Sequence, residues 1–364
     1  ALGIHGVQLL DEGAPEKAEP SFKRALEIAD SLDDSRLKTW VLIGWSWGSH
    51  FSGDYQAALI HGEQALELAI ELNEPDDEVW ARYYIMDAHG RLGSPEKKDY
   101  HREKMKQRLL EVGNHIFSAY MEYQYGMARN VINGEWDIAR QAFAKFEERP
   151  SPTEVKVLYL SALLTVEMYT GNGELAAWTA GQVSQSLPAL SGTIVVYLAF
   201  PVQALSEYMV LTSNTTSAPE YLDACNELLE SPESNARLRA IAHAALGLFY
   251  VAREDKDRAR HHLEKLDPVL ADFGWRHAGR IKHFLGDYRG AVECLRKARE
   301  AEQSKLVRTA WNQLFLGKAL IGRENLGDAD EALSLLSLSH ETATRLGMTF
   351  LIEKIEEIQE WRSK

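Results

Sequence analysis

The segment of this chain that most resembles catalytic machinery is Gly44-Trp45-Ser46-Trp47-Gly48, a formal G-x-S-x-G sequence preceded by the apolar run 40–43. In hydrolases this pattern places a serine nucleophile on a strained turn between a strand and a helix. Too few residues precede it here for the early strands and the oxyanion loop of such a fold. A repeated turn that follows at Gly53 instead places Ser46 on a helix, where two helices pack closely. We therefore expect a structural role for Ser46, and no labelling by a serine-reactive phosphonate.

Twelve histidines raise the question of a metal site. His261 and His262 are adjacent and so point to different faces of a helix, whereas His277 and His283 are six residues apart and do not share a face. The sequence contains neither an HExxH motif nor a Gly-x-x-x-x-Gly-Lys-Ser/Thr phosphate-binding loop. We therefore predict no metal, no cofactor and no catalysis, and any ATPase of a parent protein would lie outside this chain.

Composition and charge argue against several classes of partner. The chain has 364 residues and a formal net charge of −14. Nucleic-acid binding requires lysine and arginine to neutralise phosphates, so we expect no direct contact with DNA or RNA, and none with an anionic membrane. No apolar run approaches the roughly 18–20 residues that span a bilayer. The two scattered cysteines, Cys225 and Cys294, favour a reducing compartment, and we predict a cytoplasmic protein.

A short phrase that begins with glycine recurs along the chain and defines the elements that must position any site. Its clearest copies are Gly53-Asp54-Tyr55-Gln56-Ala57-Ala58, Gly134-Glu135-Trp136-Asp137-Ile138-Ala139 and Gly286-Asp287-Tyr288-Arg289-Gly290-Ala291. Looser copies begin at Gly13, Gly93 and Gly327, and successive glycines from Gly13 to Gly134 are 40 or 41 residues apart. A fixed period of roughly 20–50 residues indicates a repeat protein. The period here corresponds to one helix–turn–helix unit.

Each unit is predicted to contain a first helix, a glycine-led turn, a second helix and a short polar link. The turn glycine can end a helix in the left-handed conformation, and the acidic residue after it favours the start of the next helix. The alanine five positions after the glycine is expected where two helices approach closely. The predicted helix pairs span about 1–32, 35–73, 75–112, 114–149, 152–188, 191–230, 233–271, 272–303 and 305–347.

The repeat units resemble tetratricopeptide repeats. That family carries glycine at motif position 15, an aromatic residue at 17, alanine at 20, a bulky apolar residue at 24 and alanine at 27. The residues that fit are Gly13, Ala18, Phe22 and Ala25, then Gly286, Tyr288, Ala291, Leu295 and Ala298. The resemblance implies an all-α, right-handed superhelical solenoid of about nine helix–turn–helix repeats. Units longer than the 34 residues of the family make the array similar to those of large bacterial signalling proteins, among them ATP-dependent LuxR-type transcriptional activators, signal-transduction ATPases and some nucleotide cyclases.

The predicted organisation is one repeat array over residues 1–347 and a capping helix over residues 348–364. The capping helix, from Met348 to Trp361, is rich in charge and would keep one face in solvent. Pro201 and the polar loop 212–219 make the sixth unit the least regular, which we interpret as a kink in the superhelix and not as a domain boundary. The chain begins within a predicted helix, so we expect it to be cut from a longer protein that carries an attached N- or C-terminal module.

In tetratricopeptide arrays the first helices line the concave surface, so the resemblance assigns a binding face to their inward positions. The inward aromatic and polar residues are Trp40, Trp47, His50, Trp80, Tyr83, Asp87, Tyr120, Tyr123 and Gln124, and the inward basic residues are Arg276, Arg280 and His283. An aromatic groove suits a peptide, a partner helix or a small ligand, and the arginines suit an acidic group. Two alternatives stay open: the rings pack between neighbouring first helices, and the arginines pair with acidic residues of the chain.

The function predicted from these features is that of a non-catalytic domain that binds a protein or peptide partner or a small-molecule effector. It would couple that binding to an attached catalytic or DNA-binding module of a bacterial signalling or transcriptional regulator. The alternative is a free-standing scaffold that holds proteins together without sensing a small molecule. The carboxylate clamp of chaperone-binding tetratricopeptide domains needs lysine and asparagine at matched positions of successive units, and the sequence has no such set.

Overall fold

A computed structural model describes residues 2–11, 15–112, 123–148, 152–191, 196–216, 218–231, 234, 236–267, 274–303 and 305–363. These residues form helices joined by short turns, with no strand among them. The chain divides into two compact units, Ala1–Ser118 and Ala119–Lys364. The all-α fold predicted from the repeat is confirmed, and consecutive helices pack on each other within both units.

The described residues of unit 1 form six helices in three pairs. They are α1 (Leu2–Asp11), α2 (Pro15–Ser31), α3 (Ser35–Ser52), α4 (Tyr55–Glu71), α5 (Pro75–Arg91) and α6 (Pro95–Val112). Each helix packs against the next, and the first helices of adjacent pairs also touch, α1 with α3 and α3 with α5. The helix ends agree to within a few residues with the first three predicted pairs.

Unit 2 continues the same alternation over a longer stretch of chain. It begins with a π-helical turn (Tyr123–Ala128) that runs into α7, and a 3₁₀ turn (Leu187–Leu190) follows α10. Its α-helices are α7 (Arg129–Asn133), α8 (Trp136–Glu147), α9 (Thr153–Tyr169), α10 (Gly173–Ser186), α11 (Val196–Thr212), α12 (Ala218–Glu230), α13 (Ala236–Ala252), α14 (Lys256–Lys265), α15 (Gly274–Phe284), α16 (Tyr288–Ala301), α17 (Leu306–Arg323), α18 (Asp328–Leu346) and α19 (Thr349–Ser363). None of the helices in the described part of the chain is both long and apolar enough to cross a membrane.

The glycine-led turns at Gly53 and Gly286 act as the sequence predicts, whereas Gly13 lies outside the described residues and Glu135 after Gly134 makes no side-chain cap. Gly53 and Gly286 have φ values of +86° and +84°, in the left-handed region that glycine enters without steric cost. The aspartate after each of them accepts a hydrogen bond from the backbone N–H three residues later, which caps the second helix. Glu254, with φ +56°, takes the place of the glycine before α14, and Asp255 caps that helix in the same way. The helix pair α13–α14 therefore has the same turn geometry, although it lacks the glycine that defines the repeat in the sequence.

The alanine five positions after each turn glycine lies at the contact between the two helices of a pair. The five such alanines are completely buried: Ala18, Ala58, Ala139, Ala291 and Ala332. In the third pair Lys98 occupies this position, and Gly90 on the facing helix α5 makes room for it. A Cβ atom at Gly90 would lie 3.1 Å from Lys98 Cδ. In this pair the small residue lies on the first helix instead of the second, and the two helices still approach closely.

The C-terminal helix α19 has the two faces expected of it. Leu351 and Ile355, one helical turn apart, are completely buried, whereas Glu353 and Glu356 are exposed. Pro201 lies inside α11, and the division between the two units falls elsewhere, at residues 118 and 119 within a stretch that lies outside the described residues. The single array over 1–347 stays a prediction.

Unit 2 differs from an ideal solenoid because its first helices contact its last ones. Helix α7 packs on α17, and α9 packs on α19. The Trp136 indole N–H donates a hydrogen bond to the Leu346 carbonyl, and the Tyr169 and Trp311 ring centroids lie 5.2 Å apart. In an open solenoid each repeat would contact only its neighbours. Unit 2 instead closes on itself, in the sense that its two ends are in contact, and first helices line its interior.

Candidate ligand-binding sites

Ser46, the serine of the G-x-S-x-G segment, lies within α3 and is completely buried. Its hydroxyl donates a hydrogen bond to the Ala58 carbonyl on α4 at 2.7 Å. A nucleophile elbow would need this hydroxyl exposed on a turn between a strand and a helix. Ser46 instead occupies the small position where α3 and α4 pack together.

Two of the histidines form a pair between adjacent helices. His243 on α13 and His262 on α14 face each other with their Nδ1 atoms 3.0 Å apart, so one of the two donates a proton to the other. Burial, with the nearby His243 and His261, lowers the pKa of His262 to about 4. Among the described residues, no three His, Cys, Asp or Glu side chains are grouped so that they could hold a metal ion.

Six of the residues assigned to the inward positions lie together on α3 and α5 of unit 1, and we call them the aromatic face: Trp40, Trp47, His50, Trp80, Tyr83 and Asp87. The three tryptophans keep 58%, 41% and 38% of their surface exposed, respectively. Large aromatic side chains that stay exposed on adjacent helices are unusual for a monomer and mark interaction surfaces. The aromatic face is therefore open to solvent within unit 1.

Polar and ring contacts hold the aromatic face in place. The Trp40 indole N–H reaches the Asp77 carboxylate of α5 at 3.0 and 3.1 Å, and the Trp80 ring stacks on Tyr84 with centroids 6.1 Å apart. Burial raises the pKa of Asp77, which the hydrogen bond from Trp40 partly opposes. The rings thus pack on neighbouring side chains of α3 and α5 and also present exposed surface, so binding at this face stays a prediction.

The remaining aromatic candidates do not belong to the aromatic face. Tyr123 lies in unit 2, where it is only 4% exposed and packs edge-on against Tyr159 with centroids 5.3 Å apart. Gln124 lies in the π-helical turn at the start of unit 2. Tyr120 lies outside the described residues.

The two arginines predicted to receive an acidic group do contact one, and it comes from the chain itself. Arg276 and Arg280 on α15 are 3% and 7% exposed, and Glu207 on α11 lies between them. Glu207 Oε1 lies 2.8 Å from Arg276 Nη2, and Oε2 lies 2.6 Å from Arg280 Nη1. His277 Nε2 donates to the same carboxylate at 3.2 Å. Of the two alternatives left open by the sequence, the structure has the intramolecular ion pair.

Protonation in this cluster follows from burial and charge. Burial by itself would raise the pKa of Glu207, but Arg280, Arg276 and the hydrogen bond from His277 outweigh it and hold the pKa well below the usual value. Burial lowers the pKa of His277, although Glu207 opposes the shift. At neutral pH the cluster therefore holds two cations, one carboxylate and a neutral imidazole.

The cluster forms one wall of a pocket of about 220 Å³ in unit 2, which we call the interior pocket. Five helical segments contribute to it: the turn at 123–128 with α7, and α9, α11, α15 and α17. The pocket is lined by Tyr123, Ala128, Val131, Ile132, Ser161, Ala162, Thr165, Tyr169, Phe200, Gln203, Ala204, Glu207, Arg276, His277, Val307 and Arg308. Its apolar and hydrogen-bonding residues come from helices at both ends of unit 2. Sequence reasoning reached only Tyr123 and Arg276, because the others follow no repeated motif.

Arg280 and His283 face a second pocket of unit 2, of about 510 Å³. None of its lining residues belongs to the interior pocket. The three inward basic residues of α15 therefore line different pockets. Arg276 lines the interior pocket, and Arg280 and His283 line the second pocket.

The fold and the pockets are the basis for assigning a function to this chain. No protein-family model matches this sequence, and no curated protein matches it. The structure shows consecutive helices packed on each other within each unit, which is compatible with a helical repeat.

Proposed function

We propose that unit 2 binds a small effector in the interior pocket, and that the chain is a non-catalytic, tetratricopeptide-like sensor and coupling domain of a bacterial multidomain signalling or transcriptional regulator. The observation that carries this proposal is the pocket itself, where first helices from both ends of unit 2 meet around buried charges. Pockets that combine an apolar lining with a few fixed polar groups are the usual form of a small-molecule site.

The size and lining of the interior pocket limit the effector. Drug-sized ligands occupy pockets of about 300–1,000 Å³, so a volume of about 220 Å³ fits a smaller molecule. Gln203 contributes an amide to the lining, and Ser161 and Thr165, whose hydroxyls donate to backbone carbonyls, can still accept hydrogen bonds. Val131, Ile132 and neighbouring residues contribute apolar surface. The preferred effector is a small, partly polar molecule.

Coupling would follow from the closure of unit 2. A ligand that touches both α7 and α17 stabilises the arrangement in which the two ends of the unit are in contact. A ligand shifts a conformational equilibrium only by its differential affinity for the two states. An effector at the junction of these helices would have such a difference, and an attached module would detect the change in closure.

The test is a thermal-shift screen of small metabolite classes with a variant that fills the pocket. Ala204 lines the interior pocket, so Ala204→Leu should abolish the response, whereas Ala177→Leu on the exposed side of α10 should keep it. A ligand at about 100 times its Kd adds about 2.7 kcal/mol, which for a unit of this size raises Tm by roughly 5–10 °C. If ligands stabilise the wild type and Ala204→Leu equally, the interior pocket is not the effector site.

A second candidate function, that of a scaffold for other proteins, is favoured by the aromatic face of unit 1. Tryptophan and tyrosine dominate the energetic centres of protein interfaces, and Trp47 offers exposed surface there. A displayed peptide library should yield binders whose affinity falls with Trp47→Ala. Trp178→Ala, at an exposed tryptophan of α10 in unit 2, is the matched control. Binders that are insensitive to Trp47→Ala would remove this candidate.

A further inference from the structure

The second pocket of unit 2 is lined by both basic and apolar side chains, and we call it the basic pocket. Helices α11, α13, α15, α16, α17 and α19 contribute to its volume of about 510 Å³. Its lining residues are Val210, Leu211, Val251, Arg280, His283, Phe284, Tyr288, Leu295, Phe315, Lys318, Lys354 and Glu357. The basic residues come from three different helices, so only the folded unit brings them together.

The charges of the basic pocket are not balanced within it. Arg280, Lys318 and Lys354 carry positive charge, whereas Glu357 is the one acidic lining residue. Glu357 is largely exposed and bonds Lys354 at 2.7 Å. Among the ion pairs of the described residues none involves Lys318. Burial, together with Lys354 and Arg280, lowers the pKa of Lys318, although Glu357 opposes the shift. A half-buried ammonium in this position is costly unless an anion joins it.

Arg280 is held so that its guanidinium stays at the pocket. One nitrogen donates to Glu207 Oε2 at 2.6 Å, and the guanidinium carbon lies 4.3 Å from the Phe315 ring centroid. A guanidinium has five N–H donors, so the contact to Glu207 leaves others for a ligand. His283 is neutral at pH 7, since burial and then the charge of Lys318 lower its pKa.

Much of the remaining lining of the basic pocket is apolar, including the Phe315 ring that lies against Arg280. Phe284, Phe315 and Leu295 form an apolar wall with Val210 and neighbouring aliphatic residues. An inorganic ion would satisfy the basic residues and leave the apolar wall in contact with water. A ligand that combines an anionic group with a ring or a short hydrocarbon body would satisfy both.

From the unbalanced charges and the apolar wall we propose that the basic pocket binds a small organic oxyanion, a carboxylate or a phosphate monoester, attached to an aromatic or aliphatic body. The oxyanion lies against Lys318, Lys354 and Arg280, and the apolar body lies against Phe284 and Phe315. This site is separate from the interior pocket, so it does not depend on the function proposed for that pocket.

Titration calorimetry at low salt with four probes tests this proposal. Phenylacetate and phenyl phosphate carry both features, inorganic phosphate has only the anion, and benzyl alcohol has only the ring. The two complete probes should bind, and the stronger of them identifies the preferred oxyanion. Each should bind at least about tenfold more tightly than either incomplete probe, because a hydrogen bond to a charged group contributes about 1.5–3 kcal/mol. Equal binding of benzyl alcohol and phenylacetate would overturn the proposal.

Substitutions locate the site. Lys318→Met keeps an unbranched side chain, one atom shorter, and removes its charge, and should weaken the complete probes at least about tenfold. Lys145→Met, at an exposed lysine of α8, changes the net charge equally and should leave binding unchanged. Ala204→Leu should also leave it unchanged, so failure at the interior pocket and failure here are distinguishable. The pKa of Lys318, followed by NMR, should rise when a complete probe binds. An unchanged pKa, or unchanged affinity in Lys318→Met, would place the ligand elsewhere.

Discussion

In unit 1 the first helices α3 and α5 leave Trp40 and Trp80 exposed, whereas in unit 2 the first helices α11 and α15 bury Glu207 and Arg276. The helix–turn–helix element is the same in both units, with the same left-handed turns and buried alanines. The difference lies in what the inward positions contact. In unit 1 they meet the adjacent first helix and solvent, and in unit 2 they meet first helices further along the chain, as Glu207 of α11 meets Arg276 of α15.

Closure changes the kind of ligand that each unit can bind. An open face of rings suits a partner that brings its own surface, such as a peptide or a helix. A pocket beside buried charges suits a small molecule, because hydrogen bonds are stronger where the surroundings are less polar than water. The same repeat can thus support a scaffold-like surface and a sensor-like pocket, depending on whether the unit closes.

The largest expected difference between the units is the cost of removing a central carboxylate. Glu207→Gln leaves Arg276 and Arg280 buried without their counter-charge, which should cost about 3–5 kcal/mol of unfolding free energy. Glu78 in unit 1 similarly lies between Arg82 and Arg108, at 2.8 and 3.1 Å, but Arg108 reaches solvent and also pairs with Glu111. Glu78→Gln should cost only about 1–2 kcal/mol. Urea unfolding, with hydrogen exchange to assign the loss to a unit, measures both.

An equal cost for the two glutamates would contradict the view that unit 2 is the more enclosed unit. A Glu207→Asp variant refines the result. It keeps the charge and shortens the reach, so it should recover part of the loss if the ion pair is what matters.

Removing a contact that closes unit 2 should have the next largest effect. Trp136 is buried, packs against Tyr169 and donates to the Leu346 carbonyl. Trp136→Ala should cost about 3 kcal/mol, as large-to-small changes in a core do, and should speed hydrogen exchange in α17 and α18, far along the chain. Trp178→Ala, at an exposed tryptophan of α10, should neither lower the stability as much nor speed exchange in α17 and α18. Faster exchange confined to α8 and α9 would mean that the two ends of unit 2 are not coupled.

Added volume should be tolerated less well in unit 2 than in unit 1. A Cβ atom at Gly279 of α15 would lie 2.5 Å from Leu295 Cγ, whereas one at Gly62 of α4 would lie 2.9 Å from Ile85 Cγ1. Gly279→Ala should cost about 2–3 kcal/mol and Gly62→Ala about 1 kcal/mol. Gly181→Ala, with nothing within 4 Å, should instead stabilise α10 by up to about 1 kcal/mol through helix propensity. Thermal unfolding of the three variants gives the ranking.

The features that the sequence predicted are local ones. The turn at Gly53 and Asp54 is readable because the left-handed φ and the helix cap are determined by residues next to each other. The turn at Glu254 was not predicted, because it has the same left-handed backbone conformation but carries glutamate instead of glycine.

The buried cluster could not be predicted in the same way. Glu207 and Arg276 are 69 positions apart and belong to different predicted helix pairs of the repeat. The repeat pattern predicts which helices are neighbours along the chain. The closure of unit 2 depends instead on small rotations between successive helix pairs. The open aromatic face of unit 1 needs no such closure, which is why the inward positions assigned by the resemblance grouped Trp40, Trp47 and Trp80.

The smallest expected effect on stability belongs to the aromatic face. Trp47→Ala removes a side chain that is already 41% exposed, so it should change the unfolding free energy by less than about 1 kcal/mol. Acrylamide should quench the fluorescence of Trp47 readily, while Trp311, which is 1% exposed, should resist quenching. Single-tryptophan variants separate the two signals. A loss near 3 kcal/mol for Trp47→Ala, similar to that of Trp136→Ala, would mean that the rings of unit 1 serve packing and not recognition.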